Sequence, residues 1–238
     1  MGSEVKPVQL EVFDLHAWYG ESHILHGMSL TVRRGEIVTL LGRNGAGKTT
    51  TMRAIMGILR KREGTIRYEG GDLIPLPPHK VARLGIGYVP EERGIFSSLT
   101  VEENLLLPPV IGPGGMTIEE IYDLFPNLAG RGRTPGTRLS GGEQQMLSIA
   151  RILRTGANFI LLDEPTEGLA PVIVDQIAAS LRILKERGFT ILLVEQNLHF
   201  ASAIADRHYV VEQGCVVDEV ANHALAENMD RLNSYLSV

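Results

Sequence analysis

The stretch Gly42-Arg43-Asn44-Gly45-Ala46-Gly47-Lys48-Thr49 sets glycines at fixed intervals and ends in lysine and threonine. It satisfies G-x-x-x-x-G-K-[ST] in full, the spacing of a phosphate-binding loop. Glycine lets the backbone turn so that successive N–H groups converge on phosphate oxygens. A helix starting at Lys48 and running through Thr50 adds the positive end of its dipole. Lys48 then brings a point charge to the β- and γ-phosphates, and the Thr49 hydroxyl suits Mg2+.

Two further segments carry chemistry. Phe159-Ile160-Leu161-Leu162-Asp163-Glu164 is an apolar run ending in two acids. Open α/β sheets place ligands at such strand ends. Asp163 suits the Mg2+ shell, and Glu164 suits polarising a water that attacks the terminal phosphate. Leu139-Ser140-Gly141-Gly142-Glu143 opens a helix, with Ser140 as its N-cap and glycines that expose backbone N–H groups. On its residues alone this segment reads equally as a second anion site or as an ordinary capped helix.

The elements that must hold these residues are of two kinds. Val8–Val12, Ser29–Val32 and Thr65–Tyr68 alternate apolar with polar residues, as half-buried antiparallel strands do. Glu36–Leu41 predicts a strand into the glycine loop, and a helix follows from Lys48 to about Leu59. From Pro90 to Thr155 the pattern turns helical. Ser97–Leu107 and Thr117–Leu128 have helical spacing, broken at Pro108–Pro113 and Gly130–Gly136, and Thr137–Arg154 reads as a cap and a helix. Phe159–Leu162 and Thr190–Val194 are continuous apolar runs, as buried parallel strands are, around an amphipathic helix at Pro171–Arg187 closed by Gly188. Tyr209–Val211 and Cys215–Val217 predict a last hairpin, with Cys215 as a small buried side chain. The tail from His223 has a helical pattern. One domain over 1–238 is expected, with a core and β portion at about 1–90 and 156–238 and a helical insert at about 91–155.

Composition removes other classes. The 238 residues are 44% hydrophobic and 21% charged, ordinary for a folded domain, and the net charge of −5 gives no support for a nucleic-acid partner. The single cysteine, Cys215, cannot form an internal disulfide and fits a reducing compartment. The first residues lack a secretory leader pattern. The apolar runs ending at Leu162 and Val194 fall far short of the roughly 20 residues that a membrane helix needs. A membrane role must therefore come through a partner.

The phosphate loop, Leu139–Glu143 and Ile160–Pro165 stand in the order and spacing of the ABC ATPases, and the chain resembles that family over essentially its whole length. The resemblance implies an α/β fold: a P-loop NTPase (RecA-like) core with an antiparallel β subdomain and an inserted α-helical subdomain. It implies ATP and Mg2+, and a head-to-tail homodimer or heterodimer with a related ATP-binding subunit. Ser140 and Gly142 would act in trans on the partner's ATP. Adenine would stack on Tyr19, in Trp18-Tyr19-Gly20, with Trp18 as the neighbouring candidate. Two transmembrane permease subunits would dock in the groove near Glu91–Leu105, indirectly serving a solute-binding protein, at the cytoplasmic face of the inner (plasma) membrane.

Three positions depart from the commonest pattern of that family. Val89-Pro90-Glu91 has glutamate for glutamine, keeping an oxygen that can approach Mg2+. Val194-Glu195-Gln196-Asn197 lacks the switch histidine, so Gln196 can donate a hydrogen bond to the γ-phosphate but cannot become cationic. Ala170 replaces an aspartate. His199 is expected to be a surface residue on the next helix. These departures resemble the ATP-binding subunits of branched-chain amino-acid importers. Relatives that serve urea and short-chain amide uptake share much of the pattern. A soluble ABC ATPase acting on ribosomes or DNA would usually carry paired domains or long inserts, and this chain has neither.

Overall fold

A computed structural model describes residues 6–236. Residues 1–5 and 237–238 lie outside the described residues, and with them the chain start read for a leader and the last residues of the tail.

Val8–Tyr19 (β1) and Ser22–Arg33 (β2) pair antiparallel, and both run longer than their alternation predicts. The reason is a change of phase. Leu10 and Val12 are buried, then Leu15 and Ala17, with Phe13 and Asp14 both exposed between them. Asp14 has φ 49 and Gly27 has φ 93, and the pairing register shifts between Val12 and Leu15. A bulge inserts one residue and flips the inward face, so a strict two-residue period stops there while the strand continues. Arg62–Tyr68 (β4) and Gly71–Asp72 (β5) complete this sheet in the order β2-β1-β4-β5.

The second sheet has the order β10-β9-β3-β8-β7-β6. Its members are Ile37–Leu41 (β3), Ile86–Val89 (β6), Phe159–Asp163 (β7), Thr190–Glu195 (β8), Arg207–Glu212 (β9) and Cys215–Ala221 (β10). All neighbours pair in parallel except the β9–β10 hairpin. Leu161, Leu192 and Val194 face one apolar cluster, shared with the first sheet; Ile160, Leu162, Ile191 and Leu193 face another, shared with the helices. Burial on both faces is why these strands read as unbroken apolar runs.

Lys48–Ile55 (α1) ends before the predicted Leu59, because Gly57 turns left-handed (φ 76) and Ile58 N–H folds back to Arg53 O at 2.9 Å. Pro78–Arg83 (α2) and β6 were not expected; Gly85, Gly87 and Pro90 make that stretch read as loop. Val101–Leu106 (α3), Ile118–Leu124 (α4) and Gly141–Arg154 (α5) all fall between β6 and β7. α3 and α5 start later than their spacing predicts, at the N-caps Thr100 and Ser140, whereas α4 starts at Thr117 as expected and ends at Leu124, short of Leu128; each has a reciprocal capping box that satisfies two N–H groups. Pro171–Glu186 (α6) and Leu198–Ile204 (α7) flank β8. The tail makes two short 3-10 turns before Met229–Leu236 (α8).

Cys215 is half-buried rather than buried, because β10 is the edge strand; its thiol donates to His26 O at 2.9 Å. Among the described residues no helix is long and apolar enough to cross a membrane.

Candidate functional site

Parallel pairing brings three strand ends together. Leu41 lies opposite Glu195 and Asp163 opposite Val194, so the loops after β3, β7 and β8 start side by side. This is the sheet edge where ligands bind in open α/β folds.

The loop after β3 is a closed turn. Ala46 N–H donates to Arg43 O at 3.2 Å, and Gly214 N–H in the β9–β10 turn donates to Ala46 O at 2.8 Å. Gly47 caps α1 with φ 107, and a Cβ there would lie 2.9 Å from Leu25 Cδ2. Only glycine meets both demands. Lys48 is buried, and its Nζ donates to Gly42 O at 2.7 Å and Arg43 O at 2.9 Å. Burial pushes the Lys48 ammonium below its ordinary pKa, while Glu164, 3.7 Å away, and Asp163 pull it back. A polyanion beside this buried cation would stabilise its charge further. Arg43 turns outward, and its Nε donates to Tyr235 O at 3.2 Å.

The acids at the end of β7 have separate settings. Asp163 is fully buried and accepts from Thr49 Oγ1 at 2.9 Å and from Tyr88 Oη at 3.0 Å. Burial pushes its carboxyl up, and the two hydroxyls offset part of that. Thr49 Oγ1 and Asp163 Oδ1 are 2.9 Å apart, the edge of an octahedron with arms of about 2.0–2.1 Å, as Mg2+ prefers. Glu164 sits in the left-handed region, φ 46, at a cost of about 1–2 kcal/mol for a residue with a Cβ. Its N–H donates to Val194 O at 3.0 Å. Its carboxylate accepts from Gln196 Nε2 at 2.9 and 2.8 Å, and the same Nε2 reaches Asn44 Oδ1 at 2.7 Å.

A cavity of about 440 Å³ joins these parts. Tyr19, Ile24, Asn44, Gly45, Gly47, Lys48, Thr49, Thr50, Glu91, Glu164 and Glu167 line it. One wall offers a lysine and a turn of backbone N–H groups; the other carries three carboxylates. Glu164 and Glu91 push the Glu167 carboxyl up. A divalent cation would relieve that repulsion. A larger cavity of about 640 Å³, around Lys185 and Asp206, contains none of the motif residues.

Of the expected site residues, Tyr19, Asn44, Gly45, Gly47, Lys48, Thr49, Thr50, Glu91 and Glu164 meet at the cavity. Gly42, Arg43, Ala46, Asp163 and Gln196 are joined to it by the contacts above. Tyr19 stands at the rim, while Trp18 stacks on His23 with ring centres 4.3 Å apart. Ser140 and Gly142 are not among the lining residues. Ser140 Oγ accepts from Glu143 N–H at 3.3 Å, and a Cβ on Gly142 would lie 2.7 Å from Ile173 Cγ2. Ala170 is the exposed N-cap of α6, and His199 is exposed on α7.

Sequence reasoning missed four residues here. Glu167 follows the acid pair by three positions and lines the cavity. Tyr88 holds Asp163 from a strand that was not expected. Arg53 Nη1 donates to Tyr19 Oη at 3.4 Å. Glu195, buried at the end of β8, holds the loop of Gln196. A charge or hydroxyl next to a motif was the available signal, and Glu167, Glu195 and Tyr88 carried it; Arg53 did not.

The profile of the family described as "ABC transporter" matches residues 25–167. The chain is 42% identical over 222 residues to the high-affinity branched-chain amino acid transport ATP-binding protein BraG of Pseudomonas aeruginosa, spanning 92% of this chain and 95% of that one. It is 38% identical over 205 residues to the lipopolysaccharide export system ATP-binding protein LptB of Haemophilus influenzae, spanning 84% and 85%. A crystal structure of a nucleotide-free ATP-binding cassette from an ABC transporter superposes with a TM-score of 0.84 at 25% identity, over 97% of this chain and 98% of that one.

Proposed function

The chain belongs to the ABC transporter family of ATP-binding cassettes, and from that premise we propose that it powers an importer of branched-chain amino acids. It is an ATPase whose hydrolysis is coupled to transport. The import reading is supported by the identity to BraG, which runs nearly end to end in both chains.

The contacts support the following roles. Adenine stacks on Tyr19, and the phosphates lie on Gly42–Thr50 with Lys48 against them. Thr49 and Asp163 would hold Mg2+, with Glu91 close by; among the described residues no three or more His, Cys, Asp or Glu side chains converge to hold a metal by themselves. The ion, when bound there, would neutralise charge at the phosphates. Glu164 orients or deprotonates the attacking water, and Gln196 fixes the Glu164 carboxylate and donates to the γ-phosphate. The convergence of Lys48, Thr49, Glu91 and Glu164 on one cavity is the observation that carries this reading.

Cassettes of this family dimerise. Ser140 and Gly142, outside their own chain's cavity, complete the site of the partner subunit. Residues 91–155 form the helical subdomain of a single cassette over 1–238. Phe96, Leu106, Leu107 and Val110 leave apolar surface exposed there, and we assign it to the permease subunits. The chain thus works at the cytoplasmic face of the inner membrane, bound to two permeases served by a solute-binding protein.

Purification from native membranes tests the assignment. The import reading expects co-purified permeases and ATP hydrolysis stimulated by a leucine-loaded binding protein. Stimulation by urea or a short-chain amide would move the substrate class. The identity to LptB supports a second reading, export of a lipid; stimulation by lipopolysaccharide would establish it in place of import. For the chemistry, Glu164→Gln should bind ATP normally and hydrolyse it at least about 100-fold more slowly. Wild-type hydrolysis by that variant would remove Glu164 from its role.

A further inference from the structure

We propose that Glu195 is the positioning residue that couples the Gln196 loop to the loop carrying Glu164. The proposal rests on the reading of Glu164 and Gln196 given above.

Glu195 ends β8 and is 3% exposed. Its Oε1 accepts from Thr166 Oγ1 at 2.6 Å. Its Oε2 accepts from the N–H groups of Gln196 and Asn197, both at 3.1 Å. One carboxylate therefore joins the turn after Glu164 to the turn that carries Gln196. Asn197 in turn caps α7, accepting from Phe200 N–H at 3.0 Å.

The same two loops are tied twice more. Glu164 N–H donates to Val194 O at 3.0 Å, and Gln196 Nε2 donates to the Glu164 carboxylate at 2.9 and 2.8 Å. These bonds close a ring around Glu164, the residue with the left-handed backbone. Strained conformations persist where the surroundings over-determine them. A carboxylate suits the centre of such a ring. It only accepts, and it offers two oxygens in one rigid plane. Any shift of Thr166 is then passed to the N–H groups that aim Gln196. Burial pushes the Glu195 carboxyl up, and its three donors offset part of that. A satisfied core acid would also make three bonds. It would not be expected to make them to the two loops whose relative position sets the attack geometry.

ATP binding runs through Tyr19, Lys48 and the glycine loop; the Glu195 side chain hydrogen-bonds none of them, and its charge is the last and smallest of the influences on Lys48. The full-length protein is assayed for kcat and KM, with ATP affinity measured separately by a fluorescent analogue. Glu195→Ala should lower kcat about 10- to 100-fold, as a misplacement near 1 Å does, with KM and affinity within about twofold. Glu195→Gln keeps an acceptor for both N–H groups and lets the Thr166 hydroxyl reverse its role, so it should recover most of the loss. Thr166→Val should fall between. The proposal is overturned if Glu195→Ala turns over within twofold of wild type, if Glu195→Gln is as slow as Glu195→Ala, or if affinity falls in step with kcat. Should Glu195→Ala fail to fold, an unchanged kcat in Thr166→Val overturns it equally. Glu164→Gln and Gln196→Ala run alongside: wild-type rates there sink the underlying reading, whereas slow rates there with a fast Glu195→Ala sink only this proposal.

Discussion

The side-chain amide of Gln196 donates to both oxygens of the Glu164 carboxylate, at 2.9 and 2.8 Å. A neutral group thus holds the acid at the position where the family resemblance implies histidine. Gln196 is also proposed to donate to the γ-phosphate, and removing one donor to charge that develops in the transition state costs about 100-fold or more, so Gln196→Ala should lower kcat on that scale with ATP affinity retained. Gln196 does not titrate, so the pH–rate profile should lack an ionisation near about 6.5. Gln196→His should introduce one. His199 is exposed on α7, and His199→Ala should leave the profile unchanged. A wild-type step near that pH, lost in His199→Ala, would relocate the switch.

Tyr19 stands at the cavity rim, with its hydroxyl 3.4 Å from Arg53 Nη1. Stacking a base on an aromatic ring contributes about 1–3 kcal/mol. Tyr19→Ala should raise the ATP Kd by about 5- to 150-fold, while Tyr19→Phe stays close to wild type. Trp18 stacks on His23, so Trp18→Ala should lower Tm and leave the Kd within twofold. Equal losses of affinity in the two alanine variants, by titration calorimetry, would show that the ring assignment is wrong.

Gly142 packs its Cα against Ile173, and an added methyl would lie 2.7 Å from Cγ2. Overpacking of this kind costs about 1–3 kcal/mol. Gly142→Ala should shift the urea midpoint down accordingly. ATP binding by the single subunit should be retained, because Gly142 does not line that subunit's cavity, while hydrolysis falls. Full hydrolysis by a destabilised Gly142→Ala would confine Gly142 to packing.

His208 is fully buried between Thr39 Oγ1 at 2.6 Å and Asn222 Oδ1 at 2.9 Å. Its Nε2–H donates to Asn222, and Nδ1 accepts from Thr39, so the neutral ring is satisfied. Burial holds its pKa below the ordinary value. The unfolded chain therefore binds a proton that the folded chain resists. The stability from His208 is full above the unfolded pKa of about 6.5 and is lost as pH falls below it, by at most about 1.4 kcal/mol per pH unit. Tm measured from pH 7.5 to 5.5 should fall less steeply in His208→Gln than in wild type. Parallel slopes would show that His208 is not responsible.

Much of the site was legible because its groups are contiguous in the chain. Gly42 to Thr49 needs only a turn and a helix start to form its cradle, and both are coded within eight residues. Asp163 and Glu164 were legible because a strand end fixes where they emerge. The bulges at Asp14 and Gly27 hid half of β1 and β2, since a phase change erases the two-residue period that marks a strand. Cys215 was misjudged because nothing local says that β10 lies at the sheet edge.

The sequence by itself determined the phosphate loop, the paired acids and the helical stretch between β6 and β7. Each is a local pattern whose physics acts over a few residues. Only the tertiary structure decided that Gln196 reaches Glu164 and Asn44 at once, that Tyr88 and Thr49 share Asp163, and that Glu195 ties Thr166 to the Gln196 loop. Those contacts depend on the parallel register that sets Asp163 beside Val194 and Leu41 beside Glu195. Slipping that register by one residue would turn the strand-end side chains of Asp163 and Glu195 to the other face.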